Sequence, residues 1–149
     1  MISLRDPNPK SVGNITELEV LLHLSKIGAT VSIPHGDNAR YDQIWDINGA
    51  LLKVQIKHAR VSSDGTSIFI NCKSTTLVRG KHIRKDYKQD NIDAIVSFYE
   101  GKCYYIPIEV APKSEITLRF ATPANMQSVG VHWAGDFELE RQLSLMKLI

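Results

Sequence analysis

The sequence predicts an α/β fold, a mixed central β-sheet flanked by helices. Three observations carry that expectation. Two runs with helical spacing, 14–28 and 136–148, enclose a series of strand-like runs. The strand-like runs are interrupted once, by the polar and basic stretch 74–91, so the order is helix, strands, basic segment, strands, helix. A length of 149 residues with 43% hydrophobic and 23% charged residues suits one domain with its own core. That composition excludes disorder, collagen-like repeats and coiled coil. No apolar run approaches the roughly 18 residues of a membrane span, so no membrane partner is expected. The opening Met1-Ile2-Ser3-Leu4-Arg5-Asp6-Pro7 lacks an apolar signal core, and Cys72 and Cys103 define neither a disulfide framework nor a zinc site. These features lead us to expect a reduced, cytoplasmic protein.

Each element has a local reason. Residues 1–13, polar with Pro7 and Pro9, read as a loose arm. The helix 14–28 takes Asn14 as N-cap with Glu17 three residues on, and Gly28 as its stop. Leu18, Val20, Leu21, Leu22, Leu24 and Ile27 spread over one broad apolar arc, while Glu19, His23 and Lys26 share the solvated face. Runs 29–34 and 41–47 read as strands. Asn48-Gly49 between 41–47 and 51–61 is a strong hairpin signal. Further strand-like runs are 66–72, 92–100, 102–110 and 116–120, and segment 74–91 reads as a loop with a short helix. Phe137, Leu139, Leu143 and Met146 have helical spacing, and pack either on the chain's own sheet or at an interface. Trp45, Trp133, Cys72 and Cys103 read as packing residues.

Two places carry unusual polarity. Glu17 falls inside the apolar arc beside Leu21 and Leu24, where a carboxylate needs a partner; capping the first helical turn and serving a site are equally good readings. In 51–58, Leu52, Val54 and Ile56 alternate with Lys53, Gln55 and Lys57, and Asp42, Ile44 and Asp46 share a face of the preceding strand. The Asn-Gly turn therefore brings an acid and a Gln-x-Lys pair to one side of a sheet. A plain solvated polar face is the usual reading of such alternation.

The combination Gly13-x-x-x-Glu17, Tyr41-Asp42 and Val54-Gln55-Ile56-Lys57 resembles the PD-(D/E)XK nuclease core. With 17–32 and 36–60 included, it is most similar to the cyanobacterial intron-encoded homing endonuclease group of that family. The resemblance implies a restriction-endonuclease-like fold in a single domain over 1–149, with a core at about 13–110 and a C-terminal extension 111–149. It implies an endonuclease making site-specific double-strand breaks in a long DNA target by Mg²⁺- or Mn²⁺-dependent hydrolysis. Asp42 and Glu17 would bind the ion with Gln55 and the carbonyl of Ile56, and Lys57 would orient the attacking water and stabilise charge on the phosphate. The chain departs from the family pattern at Gln55, where an acid is usual; an amide oxygen can bind a hard cation but adds no charge. The subgroup it resembles also carries Gln there. Glu17, and less directly Asp46, could supply the missing charge.

The formal net charge of +2 does not argue for nucleic acid by itself, but its distribution does. Arg79, Lys81, Arg84, Lys85 and Lys88 stand against Asp86 alone, a local charge of +4, which leaves the rest of the chain acidic. Without a nuclease core this would be a solvated loop; with one, it reads as a surface for the phosphates of double-stranded DNA. Arg40, Arg60 and Lys73 are further candidates for DNA contact. A chain of this size has a radius of gyration of roughly 15 Å. One site cuts one strand, so a double-strand break argues for two or more copies, and the resemblance favours a tetramer over a dimer. Three other readings stand beside this one. They are a dimeric resolvase of four-way junctions, a DNA-binding module with a degenerate core, and a protein-interaction role, against which the basic segment speaks.

Overall fold

The computed structural model describes residues 4, 6–36, 38–78, 81–85, 92–121, 125 and 129–149, with 74–78 and 81–85 described as backbone alone. Helix α1 (Pro9–Lys26) starts five residues before the expected Asn14 and absorbs part of the expected arm. The cap is Asn8, whose Oδ1 accepts from the Ser11 N–H at 2.9 Å. Pro9 takes the first helical position, where its fixed φ fits and its missing N–H costs nothing. The broad apolar arc is also corrected. Thr16, Val20 and Leu24 form the buried face, whereas Leu18 and Leu22 are 63% and 56% exposed. His23, expected on the solvated face, bonds Glu140 at 2.6 Å and meets the Phe98 ring edge-on.

Strands β1 (Thr30–Ser32), β2 (Gln43–Ile47) and β3 (Ala50–Ile56) follow. The hairpin forms as expected, with Asn48 at φ 52° and Gly49 at φ 89°, the left-handed pair that a tight two-residue turn requires. Asp46 is spent on that turn, accepting the Gly49 N–H at 2.9 Å. The long run 51–61 is not one strand. After Ile56 the chain leaves the first sheet, passes through Lys57-His58, and enters a second sheet as β4 (Ala59–Val61) beside β5 (Ser67–Asn71). Segment 74–91, expected as a loop with a helix, contains a hairpin of β6 (Ser74–Val78) and β7 (Lys81–Lys85). Its Thr and Val content favours strands over helix. Strands β8 (Ala94–Tyr99), β9 (Lys102–Pro107), β10 (Glu115–Arg119) and β11 (His132–Trp133) complete the sheets. The expected C-terminal helix is a 3₁₀ turn (Ala134–Phe137) and a short α2 (Leu139–Leu145). Glu138 separates them: it is extended, bridges to the Tyr104 backbone, and pairs with Lys102 at 2.7 Å.

The central sheet has the order β1-β2-β3-β8-β9 and is mixed, because β3 and β8 run parallel while the other pairs are antiparallel. The second sheet is β11-β10-β5-β4. Alternation along β8 and β9 divides the apolar side chains between two cores. Ala94, Val96, Cys103 and Tyr105 join Val20, Leu24, Trp45, Val54, Leu139 and Leu143 on the helix side. Ile95, Tyr104 and Ile106 join Ile68, Ile70, Ile116, Leu118 and Phe137 under the second sheet. The mixed central sheet thus carries helices on one face and a smaller sheet on the other. Leu139, Leu143 and Phe137 of the C-terminal stripe are buried in these cores; Met146 is partly exposed. No helix among the described residues is long and apolar enough to cross a membrane.

Candidate active site

The site lies where β3 ends, beneath the middle of α1. The Asp42 N–H donates to the Val54 carbonyl at 2.8 Å, extending the hairpin by one residue and setting Asp42 across from Val54 and Gln55. Its Oδ2 accepts from the Ile56 N–H at 2.7 Å and from Gln55 Nε2 at 2.8 Å. One carboxylate oxygen of Asp42 is therefore held by the protein, by one main-chain and one side-chain N–H donor. Glu17 comes down from α1, and together with Asp42, Gln43, Asn14, Leu18, Leu21 and Ile33 it lines a cleft of about 250 Å³. Lys57 continues the parallel pairing through its N–H to the Val96 carbonyl at 2.8 Å, and its Nζ reaches the Lys73 carbonyl at 3.2 Å. Glu17 is the ninth residue of α1, so the helix-capping reading of it falls.

The electrostatics follow from this packing. Burial pushes the Glu17 carboxyl above its ordinary value, and the neighbouring Asp42 charge adds to the rise. Burial also raises Asp42, against the Ile56 N–H and the Lys57 ammonium, which both pull it down. Both acids therefore hold protons more tightly in the folded chain than in the unfolded one. Between the two values the folded state binds more protons, so stability falls as pH rises upward from the ordinary carboxylate range. At neutral pH two half-buried carboxylates face each other with one ammonium nearby, a donor set that suits a divalent cation. Gln55 Oε1 and the Ile56 carbonyl are oxygens of the kind such ions take. Among the described residues no cluster of three or more His, Cys, Asp or Glu side chains suited to an ion forms.

A consequence is measurable. Mg²⁺ is expected to raise the Tm of the wild type at neutral pH and to lose that effect as the carboxylates protonate in acid. Glu17→Gln is expected to raise the Tm in chelator by a few degrees and to shrink the Mg²⁺ shift. Scanning calorimetry of both proteins across pH checks this; an undiminished Mg²⁺ shift in Glu17→Gln would remove Glu17 from the ligand set.

The structure brings Glu17, Asp42, Gln55, Ile56 and Lys57 together. Lys73 lies beside them through its carbonyl, and half-buried Arg40 precedes Asp42 by two residues. Arg60 is farther along the second sheet, paired with Glu115 and lying over the Phe69 ring at 5.7 Å. The side chains of Lys81, Arg84 and Lys85, and the whole of Arg79 and Lys88, lie outside the described residues. Asp46, committed to the turn, does not join the site.

Two positioning groups were missed in the sequence. Gln43 is 2% exposed; it donates to the Glu17 carbonyl at 3.1 Å and accepts from the Trp45 indole at 3.0 Å. The signal was present, because Gln43 shares the core-facing parity of Trp45 and Ile47. Thr16, 1% exposed, bonds His58 at 3.2 Å, and nothing local to either residue announces the pairing.

The PD-(D/E)XK endonuclease family model matches residues 7–140. Among solved structures the chain is similar to that of a bacterial homing endonuclease, I-Ssp6803I, at 25% identity and a TM-score of 0.75, covering 95% of each chain. No curated protein matches the chain. A match that runs from just before α1 to the second residue of α2 takes in every strand that builds the site, and the chain belongs to the PD-(D/E)XK endonuclease family.

Proposed function

We propose that this DNA endonuclease is a Mg²⁺-dependent, site-specific enzyme of the homing type. The observation that carries the chemistry is the Glu17–Asp42 pair beside the end of β3, both acids raised by burial and Glu17 also by the Asp42 charge, next to Lys57. The similarity over 95% of both chains to a homing endonuclease supports the biological type. Glu17, Asp42, Gln55 and the Ile56 carbonyl would hold Mg²⁺ or Mn²⁺, which when bound polarises the phosphate and lowers the pKa of water. Asp42 is aimed by the Ile56 N–H and the Gln55 amide. Lys57, anchored on the Lys73 carbonyl, stabilises negative charge building on the phosphate oxygens.

The test is a mixed pool of long duplexes and four-way junctions, with Mg²⁺, with EDTA, and with Asp42→Ala. Discrete duplex fragments requiring both Mg²⁺ and Asp42 are expected. Cutting confined to junctions would make the protein a resolvase. Binding without cutting would make it a DNA-binding module, with Gln55→Glu as the variant to restore charge.

The basic run from Arg79 to Lys88 is read as the main phosphate contact. Arg84→Ala and Lys85→Ala are each expected to weaken binding to all duplexes alike and to lower the salt slope of log K by about one. An unchanged slope removes that residue from the DNA surface.

A double-strand cut by one site per chain calls for self-association, and a tetramer is the preferred form. The exposed Ile15, Leu18 and Leu22 lie along one side of α1 at helical spacing and offer an uncovered apolar strip for a second copy. Leu22→Glu is expected to reduce the assembly by sedimentation equilibrium; a monomeric wild type would end this reading. Cys72 and Cys103 are both unpaired and buried, which suits the reduced cytoplasmic setting.

A further inference from the structure

We propose that His58 is a positioning residue for the endonuclease site. Its imidazole, held in the Nδ1–H form by Thr16, locks the helix that carries Glu17 to the strand end that carries Lys57. The inference deepens the nuclease reading and rests on it. Thr16 is buried, and its hydroxyl donates to the Val12 carbonyl at 3.0 Å, the usual bond of a mid-helix threonine. A hydroxyl has one proton. With that proton on Val12, the contact of 3.2 Å between Thr16 Oγ1 and His58 Nδ1 is one in which the ring donates and the hydroxyl accepts.

The bond spans 42 positions and joins two adjacent pairs, Thr16-Glu17 and Lys57-His58. It sits where the chain crosses between sheets: residues 57 and 58 lie outside the named strands, between Ile56, paired with Val96 in the central sheet, and Ala59, paired with Ile70 in the second. Gln43 holds the Glu17 carbonyl from β2, and His58 holds the residue before Glu17 from the β3–β4 crossing. These two ties oppose the repulsion that would move Glu17 away from Asp42. His58 is itself exposed, so its ring adds little packing. Its role is geometric, and a shift of about 1 Å at a reacting group can cost about 10²-fold in rate.

The experiment compares wild type, His58→Ala, His58→Asn, His58→Gln and Thr16→Val in single-turnover duplex cleavage, DNA affinity and thermal melting. Asn places an amide nitrogen where Nδ1 stood; Gln places one where Nε2 stood. His58→Ala, His58→Gln and Thr16→Val are expected to cut about 10- to 100-fold more slowly, with KM and DNA affinity within about twofold. His58→Asn is expected to retain the rate within about threefold. Rescue by Gln instead of Asn, or a loss confined to KM, overturns the proposal. If Thr16→Val fails to fold, the three His58 variants still decide. The ¹⁵N shifts of the neutral ring supply a readout that needs no cutting: Nδ1–H is expected in the wild type. Nε2–H there overturns the proposal. A wild type that shows Nδ1–H but cuts no DNA fails the nuclease reading instead, and with it the role assigned to His58.

Discussion

Asp42→Asn is expected to slow duplex cutting by at least about 10³-fold while leaving DNA bound. The substitution keeps the shape of the side chain and leaves an oxygen able to accept the Ile56 N–H. It removes the negative charge on which the proposed Mg²⁺ site relies. Lys57→Ala is expected to act in the same way for the opposite charge. Lys57→Arg is expected not to restore activity, because the ammonium is seated on the Lys73 carbonyl at 3.2 Å and a planar guanidinium aims its donors differently. Single-turnover cleavage beside a gel-shift titration separates the two effects. Cutting retained in Asp42→Asn or Lys57→Ala takes that residue out of the site, and parallel loss of binding and cutting would make its role one of affinity.

The largest stability effect is expected at Trp45, which is fully buried between α1 and the central sheet. Its ring lies 6.1 Å from that of Tyr105, and its indole N–H is bonded to Gln43. Trp45→Ala removes the largest side chain in that core and leaves the Gln43 carbonyl oxygen unpaired. A cost of about 4 kcal/mol is expected, out of the roughly 5–15 kcal/mol that stabilises a domain. Urea unfolding measures it. Trp45→Phe restores most of the volume without the N–H, so its remaining deficit reports the bond to Gln43. That bond matters to the site as well, since Gln43 also holds the Glu17 carbonyl. A cost below about 1 kcal/mol for Trp45→Ala would contradict the packing described here.

The candidate site was legible early because its parts are local signals. Asn48-Gly49 sets a two-residue turn, that turn sets the register of β2 on β3, and the register places Asp42 beside Gln55 and Ile56. Alternation then settles which side chains of β3 face the core. Glu17 was visible as a misplaced carboxylate on an apolar helix. Its partner Asp42 followed only from the family resemblance, because only tertiary packing brings α1 over the central sheet.

Other features were set by a competing local signal or by distant partners. The start of α1 turned on whether Asn8 or Asn14 supplied the cap, and Pro9 after Asn8 decides that locally once both signals are weighed. The exposed Leu18 and Leu22 could not be told from the buried Val20 and Leu24 by hydropathy, since what covers a helix is set by the sheet it meets. The run 51–61 reads as one strand by alternation alone. It breaks at Lys57-His58 because Ala59 is buried under the second sheet, whose β5 and β10 arrive from later in the chain. The sequence by itself determined the hairpin and its alternation from signals within a few residues, and the set of acids, amide and lysine through its resemblance to the family core. The tertiary structure alone decided the division into two sheets, the uncovered side of α1 and the Thr16–His58 tie. Each of these is a choice of partner across tens of residues, and local propensity carries no information about it.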